Sequence, residues 1–239
     1  MSFSLKGFIN AFIDLFFPTS CIVCRKPVTH QDNHICKECF ETIKISTDKC
    51  PVCSGLLEDG KCAFCTERKV YIDKNICCFD YEDAVRKLMS GYKFRGYKRI
   101  AKVFNLLFVK FGIDVPKADV ITCVPMTPKK IWKRGYNQSE IFAKELSKQY
   151  RIKYLKLLAE SKKALAQHDL NITERFFNIL GRYTVLKKSR ISGKSIILVD
   201  DIFTTGATIN ECARVLKEAG ADKVFSIIIA RSAIKSLKK

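Results

Sequence analysis

From Val70 onward the apolar residues follow two alternating rhythms. Short solid runs at Val70–Phe79, Val120–Val124, Ser195–Val199 and Val224–Ala230 read as strands, buried on both faces where no polar alternation shows. Between them, Tyr97–Phe111 places Ile100, Val103, Phe104, Leu107, Phe108 and Phe111 at three-and-four spacing on one side of a helix. Gln138–Tyr150 and Ala207–Ala219 read as further helices, and Gly220 stands where the last one should stop. Strands separated by helices of this length predict an α/β fold, a parallel sheet with flanking helices. In such sheets ligands gather beyond the C-terminal ends of the strands. The chemistry is therefore expected after Val124 and after Val199.

The segment before this domain behaves differently. Phe8, Phe12 and Leu15 recur at helical spacing, as do Leu5, Ile9 and Phe16. Residues 1–18 are read as an amphipathic helix docked on the domain or on a partner, with attachment to a membrane surface as the alternative. Asn10 and Asp14 interrupt the apolar run, only Lys6 is basic, and no small-residue cleavage site follows, so it does not read as an export signal. It is also too short to span a bilayer, as is every other apolar segment, and the expected location is cytoplasmic. Residues 19–68 form a separate cysteine-rich module, and 69–239 the α/β domain.

Cysteine spacing gives that module its chemistry. Eight of the twelve cysteines form four C-x-x-C pairs: Cys21/Cys24, Cys36/Cys39, Cys50/Cys53 and Cys62/Cys65. Two thiolates at this spacing on a tight turn reach one tetrahedral ion, so four knuckles supply two closed Cys₄ sites for structural zinc. With so little apolar sequence, metal ligation would provide most of the folding energy. Consecutive pairing groups the first four and the last four cysteines; an interleaved arrangement is open. Cys77, Cys78, Cys123 and Cys212 read as small core residues.

The formal charge of +19 favours anionic partners such as nucleic acid, phosphorylated small molecules or an acidic surface. One segment shows where an anion would sit. The apolar run Ile196–Val199 delivers Asp200 and Asp201, then Ile202, Phe203, Thr204, Thr205, Gly206, Ala207 and Thr208. The threonines offer hydroxyls, Gly206 allows close backbone approach, and the following helix start presents N–H groups with partial positive charge. This suits a phosphate monoester. Two carboxylates beside an anion would repel it, so they should address a ribose diol, directly or through Mg²⁺. Without the acidic pair, the same turn would read as an ordinary capped helix.

Val199–Thr208 resembles the phosphoribosyl pyrophosphate signature of type I phosphoribosyltransferases. Val124-Pro125-Met126 followed by Arg134-Gly135-Tyr136-Asn137-Gln138 narrows the resemblance to the ComF family of ComFC-type competence proteins and their amidophosphoribosyltransferase-like relatives. Lys93-Phe94-Arg95-Gly96, Gln167 with Arg175 and Asn178, and a cysteine ribbon after Phe17-Pro18 belong to the same likeness, which covers nearly the whole chain. The resemblance implies a phosphoribosyltransferase-like domain behind a double zinc ribbon. It implies that Asp200 and Asp201 bind the ribose hydroxyls, that Thr204, Thr205, Gly206, Ala207 and Thr208 cradle the 5′-phosphate, and that the loop from Val124, Pro125 and Met126 holds pyrophosphate. Lys129, Lys130, Lys133 and Arg134 would neutralise that polyphosphate. Asn137 and Gln138 would either contact ligand or cap the next helix.

The stretch Arg86–Lys110 carries eight basic residues and no acid, interleaved with Tyr92, Phe94 and Tyr97. Lys93, Arg95, Lys98 and Arg99 are candidates for single-stranded nucleic acid, the other reading being a solvated helix face. The resemblance adds natural transformation, DNA uptake, and competence partners such as a helicase. Two functions stand side by side: phosphoribosyl transfer to an unidentified acceptor, and handling of incoming single-stranded DNA with phosphoribosyl pyrophosphate as a ligand. No general base or nucleophile stands out, and Cys21 lies in the knuckle array rather than at a glutaminase position.

Overall fold

A computed structural model describes residues 19–28, 34–45, 50, 52, 57, 60, 62, 65, 69–161 and 179–232. The proposed helix over residues 1–18 lies outside them, as do Gln167, Arg175 and Asn178.

Two short strands, β1 (Thr19–Ser20) and β2 (Pro27–Val28), pair antiparallel, and α1 (Lys37–Thr42) follows. The main domain then runs β3 (Lys74–Asp80), α2 (Asp83–Phe94), α3 (Ile100–Lys110), β4 (Val120–Cys123), α4 (Pro128–Arg134), α5 (Gln138–Tyr150) and β5 (Lys153–Tyr154). A hairpin of β6 (Leu158–Glu160) and β7 (Tyr183–Val185) comes next, then β8 (Ser195–Phe203), α6 (Ala207–Glu218) and β9 (Lys223–Arg231). The sheet order is β3-β9-β8-β4-β5, with every neighbouring pair parallel.

Strand β8 shows why the sheet is covered on both sides. Ile197 and Val199 face a cluster containing Phe104, Phe108 and Phe142 of α3 and α5. Ile196 and Leu198 face the opposite cluster, with Cys212 and Leu216 of α6 and Tyr183 of the hairpin. Alternate side chains therefore serve opposite layers, and a solid apolar run is what two buried faces require.

The expected strands and helices are present with shifted ends. The first strand begins at Lys74 rather than Val70, and the helix expected from Tyr97 begins at Ile100. Strand β8 continues to Phe203 because Asp200, Ile202 and Phe203 stay in register with Ile228, Ala230 and Arg231 of β9. Helix α4 lies where a loop was expected. Thr127 caps it by accepting from Lys130 N at 3.2 Å, Pro128 opens it, and Gly135 ends it at φ 83°.

The first half of the ribbon joins the main core: Ile22, Ile35 and Ile43 share the cluster of Leu88 and Tyr92 from α2. Gly91 makes room for this contact, since a Cβ there would lie 2.9 Å from Ile22 Cδ1. Lys87 Nζ donates to Val23 O at 3.0 Å, and His34 stacks on Tyr97 at 4.6 Å. No helix among the described residues is long and apolar enough to cross a membrane.

Candidate functional site

The winding reverses between β4 and β8. From β4 the chain passes through α5 to β5 on one side; from β8 it passes through α6 to β9 on the other. Such a switch point leaves a crevice at the strand C-termini. A cavity of about 300 Å³ opens there.

One wall is the end of β8 and the start of α6. Asp200 accepts from Ser139 Oγ at 3.0 Å and from the Asp201 backbone N–H at 2.8 Å. Asp201 pairs with Lys93 Nζ of α2 at 2.9 Å, and both side chains are largely buried. Gly206 turns the chain with φ 73° immediately before α6. L side chains rarely adopt that conformation, which explains a glycine here. Thr204 and Thr205 are exposed, Ala207 is buried, and Thr208 lines both the cavity and a small adjoining recess. Thr205 Oγ1 accepts from Ala207 N at 3.4 Å, while the other first-turn N–H groups face the helix end.

The facing wall is the loop after β4. Val124 is held by its N–H to Val199 O at 3.0 Å and by its carbonyl, which accepts from Asn137 Nδ2 at 2.9 Å. Pro125, Met126 and Thr127 follow along the cavity, with Lys130 and Arg134 from α4. Asn137 does two jobs, because its Oδ1 also caps α5 by accepting from Ser139 N at 3.0 Å. Gln138 is fully buried behind Arg134, which donates to its Oε1 at 2.8 Å. Lys133 is exposed and is not part of the lining.

The sequence did not single out Ser139, Glu160, Arg182 or Tyr183 as site residues, yet all line the cavity. Glu160 and Arg182 pair at 2.6 Å across the β6–β7 hairpin. Ser139 had a readable signal, since it directly follows Asn137-Gln138 at a helix start. The hairpin residues had none, because its two strands are far apart in sequence.

Four cations (Lys93, Lys130, Arg134, Arg182) and three acids (Glu160, Asp200, Asp201) meet in this space. Burial, and secondly the charge of Asp201, pushes the Asp200 carboxyl up to about 7. The Asp201 N–H, the Ser139 hydroxyl and Lys93 oppose the shift. Cations grouped opposite a phosphate-sized helix start, with acids between them, suit a sugar bearing anions at both ends. The carboxylates of Asp200 and Asp201 also present oxygen ligands of the kind Mg²⁺ takes.

Among the nucleic-acid candidates, Lys93 faces the cavity while Arg95, Lys98 and Arg99 are exposed. Tyr92 is buried, Tyr97 is half-buried, and Phe94 is 73% exposed.

In the ribbon, the sulfurs of Cys21, Cys24, Cys36 and Cys39 lie within 4.8 Å of one another, as do those of Cys50, Cys62 and Cys65. These are the groups that consecutive pairing predicts; Cys53 lies outside the described residues. Tetrahedral zinc with Zn–S bonds of ~2.3 Å requires sulfurs ~3.8 Å apart. Cys24 and Cys36 are 3.6 Å apart, and Cys50 and Cys65 are 3.7 Å apart. Burial raises the Cys36 thiol to about 11 and raises Cys39 as well. At Cys21 burial is outweighed by hydrogen bonds from the Cys24, Cys36 and Val23 backbone, which bring the thiol down to about 7. A cation is what such a set needs for all four to ionise.

Residues 12–67 match the double zinc ribbon domain family, and residues 137–239 match the phosphoribosyl transferase domain family. The competence protein ComFC of Streptococcus pneumoniae is 31% identical over 207 residues, covering 83% of this chain and 89% of that protein. Competence protein F of Haemophilus influenzae is 26% identical, over 91% of this chain and 99% of that protein. The DNA utilization protein YhgH of Escherichia coli K12 is 26% identical, over 88% of this chain and 96% of that protein. Among solved structures, the B. subtilis glutamine phosphoribosylpyrophosphate amidotransferase complexed with ADP and GMP is 20% identical over 59% of this chain and 30% of that chain, with a TM-score of 0.42. An adenine phosphoribosyltransferase is 16% identical over 59% of this chain and 75% of that chain, with a TM-score of 0.35. With a double zinc ribbon ahead of a phosphoribosyltransferase-type α/β domain, and an S. pneumoniae relative this similar over most of its length, the chain belongs to the ComF family.

Proposed function

We propose that this protein binds phosphoribosyl pyrophosphate in the β4–β8 cavity and acts in natural transformation, handling incoming single-stranded DNA in the cytoplasm. The cavity carries the reading. Acids at the end of β8, a helix start beyond Gly206, and Lys130 and Arg134 on the facing wall are spaced around a volume of about 300 Å³. Asp200 and Asp201 take the ribose hydroxyls and would hold Mg²⁺, which would supply charge neutralisation to the pyrophosphate. Thr204–Thr208 takes the 5′-phosphate. The likeness to competence proteins and to a DNA utilization protein supports the DNA role. Partners of this reading are single-stranded DNA, other competence proteins such as a helicase, and a membrane surface met through residues 1–18.

Calorimetry with Mg²⁺ and phosphoribosyl pyrophosphate tests the ligand. Replacing Asp200→Asn together with Asp201→Asn should abolish binding and leave zinc content unchanged; unchanged affinity would exclude the diol assignment. For the DNA role, charge reversal at Arg95, Lys98 and Arg99 should weaken salt-dependent binding of single-stranded DNA. Lys93 is unsuitable for that test because it serves Asp201.

One observation favours a second reading, active transfer to an acceptor. Glu160 lies on the cavity wall beside Arg182. Its Oε1 is held by Arg182, and its Oε2 would take the proton of an acceptor N–H as the new bond to C1 forms and the bond from C1 to pyrophosphate breaks. Pyrophosphate release on addition of an amine or base panel, lost in Glu160→Gln, distinguishes transfer from ligand sensing.

A further inference from the structure

Helix α4 adds nothing to the buried core. None of its seven side chains is buried, and caps at Thr127 and Gly135 hold it in place. So short a helix gains little from its own hydrogen bonds, and the core does not need it. Its side chains divide between two faces, because residues three and four apart on a helix are neighbours. Lys130 and Arg134 face the cavity. Lys129, Trp132 and Lys133 share the outer face.

Trp132 is the only tryptophan in the chain, and it is 89% exposed. Tryptophan is highly buried on average, and an exposed ring set among cations marks contact with something else. A second exposed ring lies on the cavity side of the helix. Phe94, at the end of α2, is 73% exposed, and Arg134 Cζ lies 5.3 Å from its centroid, which fixes it beside α4. Arg95 follows it at the surface. No acid interrupts either Lys129–Arg134 or Lys93–Lys110.

An open ring flanked by cations matches a polymer that alternates flat bases with phosphates. In a duplex the bases already stack on each other and cannot reach the ring. An apolar protein partner would leave the lysines unpaired. We infer that the outer face of α4, centred on Trp132 between Lys129 and Lys133, is a stacking platform for single-stranded nucleic acid at the mouth of the cavity. The inference rests on the DNA reading above and moves its centre from Lys98 and Arg99 to Trp132. A bound strand then lies one helix face away from the phosphoribosyl site.

Because Trp132 is the sole indole, its emission reports the contact directly. The zinc-loaded full chain is titrated with an oligo-dT of about twelve nucleotides, within the usual site size of single-strand binders. Parallel titrations use an abasic strand of equal length, the matching duplex and phosphatidylserine vesicles. Quenching by oligo-dT, but not by the abasic strand, supports stacking. Anisotropy of labelled oligo-dT, which does not depend on tryptophan, should show about tenfold weaker binding for Trp132→Ala, the size expected for one lost stack, with most of it restored in Trp132→Phe. Binding of phosphoribosyl pyrophosphate should be unaffected in both variants. Oligo-dT affinity that ignores Trp132→Ala overturns the platform and leaves the DNA reading standing. A wild-type chain that binds no oligo-dT even at low salt overturns both. Quenching by vesicles and not by oligo-dT assigns the ring to a membrane surface and also overturns the platform.

Discussion

The first cysteine cluster and the acidic pair at the end of β8 meet the same physical problem in different ways. Four thiols lie within 4.8 Å of one another in the ribbon, and two adjacent carboxylates share one cavity wall. Like charges so close cannot all ionise unaided. At the carboxylates the protein provides its own answer: Lys93 reaches from α2 to Asp201, Ser139 donates to Asp200, and the surrounding sheet is buried with or without ligand. In the ribbon a bound zinc ion would play that part, with the sulfurs of the first four cysteines grouped to hold it. One site is therefore built in advance, and the other is completed by what it binds.

The largest effect should come from the metal side. Cys36→Ser should halve zinc content and lower stability by at least about 3 kcal/mol, because this cluster shares the main core. Cys62→Ser should also halve zinc content but move the main melting transition by less than about 1 kcal/mol, since Cys50, Cys62 and Cys65 form a cluster of their own. Metal analysis and calorimetric melting check both. Equal melting shifts would remove the distinction between the two knuckle pairs.

On the acidic side the effect is pH-linked. Asp200 has an ordinary value of 3.8 and sits at about 7 in the folded chain. Between those values the folded state holds a proton that the unfolded chain has lost. Stability from this group is therefore complete below about pH 4 and declines as pH rises through about 7, with a slope of at most ~1.4 kcal/mol per pH unit. Asp200→Asn should remove that slope in denaturant titrations without metal or ligand. Lys93→Met gives a smaller signal. It removes one of the influences holding Asp200 down, so the carboxyl should titrate higher than in wild type by carbon-13 NMR.

These two regions were not equally legible in the sequence. The knuckles could be read because only two residues separate their paired ligands and the spacing itself carries the geometry. The apolar runs of β4, β8 and β9 were legible because burial on both faces leaves no polar alternation. Asp200 and Asp201 were legible as an acidic pair after such a run. Lys93 was not recognisable as their partner, and within a basic stretch it read as a nucleic-acid contact; only the folded chain brings it from α2 to Asp201. Helix α4 escaped notice for the opposite reason. Periodicity reports burial, and α4 buries nothing.

The contact between the two regions is itself measurable, at Gly91. Alanine inside a helix is worth about 1 kcal/mol more than glycine. At this position its Cβ would stand 2.9 Å from Ile22 Cδ1 and 3.2 Å from Ile100 Cδ1. Ile22 belongs to the first ribbon knuckle and can swing aside only by giving up packing on α2. Gly91→Ala alone should therefore change stability by less than about 1 kcal/mol. After Ile22→Ala the obstruction is reduced, and the same substitution should stabilise by an amount approaching the helix gain. A double-mutant cycle should then show coupling of about 0.5–1 kcal/mol between residues 22 and 91. Zero coupling would mean that the ribbon rests on α2 without interlocking, and the metal-completed module would then stand apart from the prebuilt one.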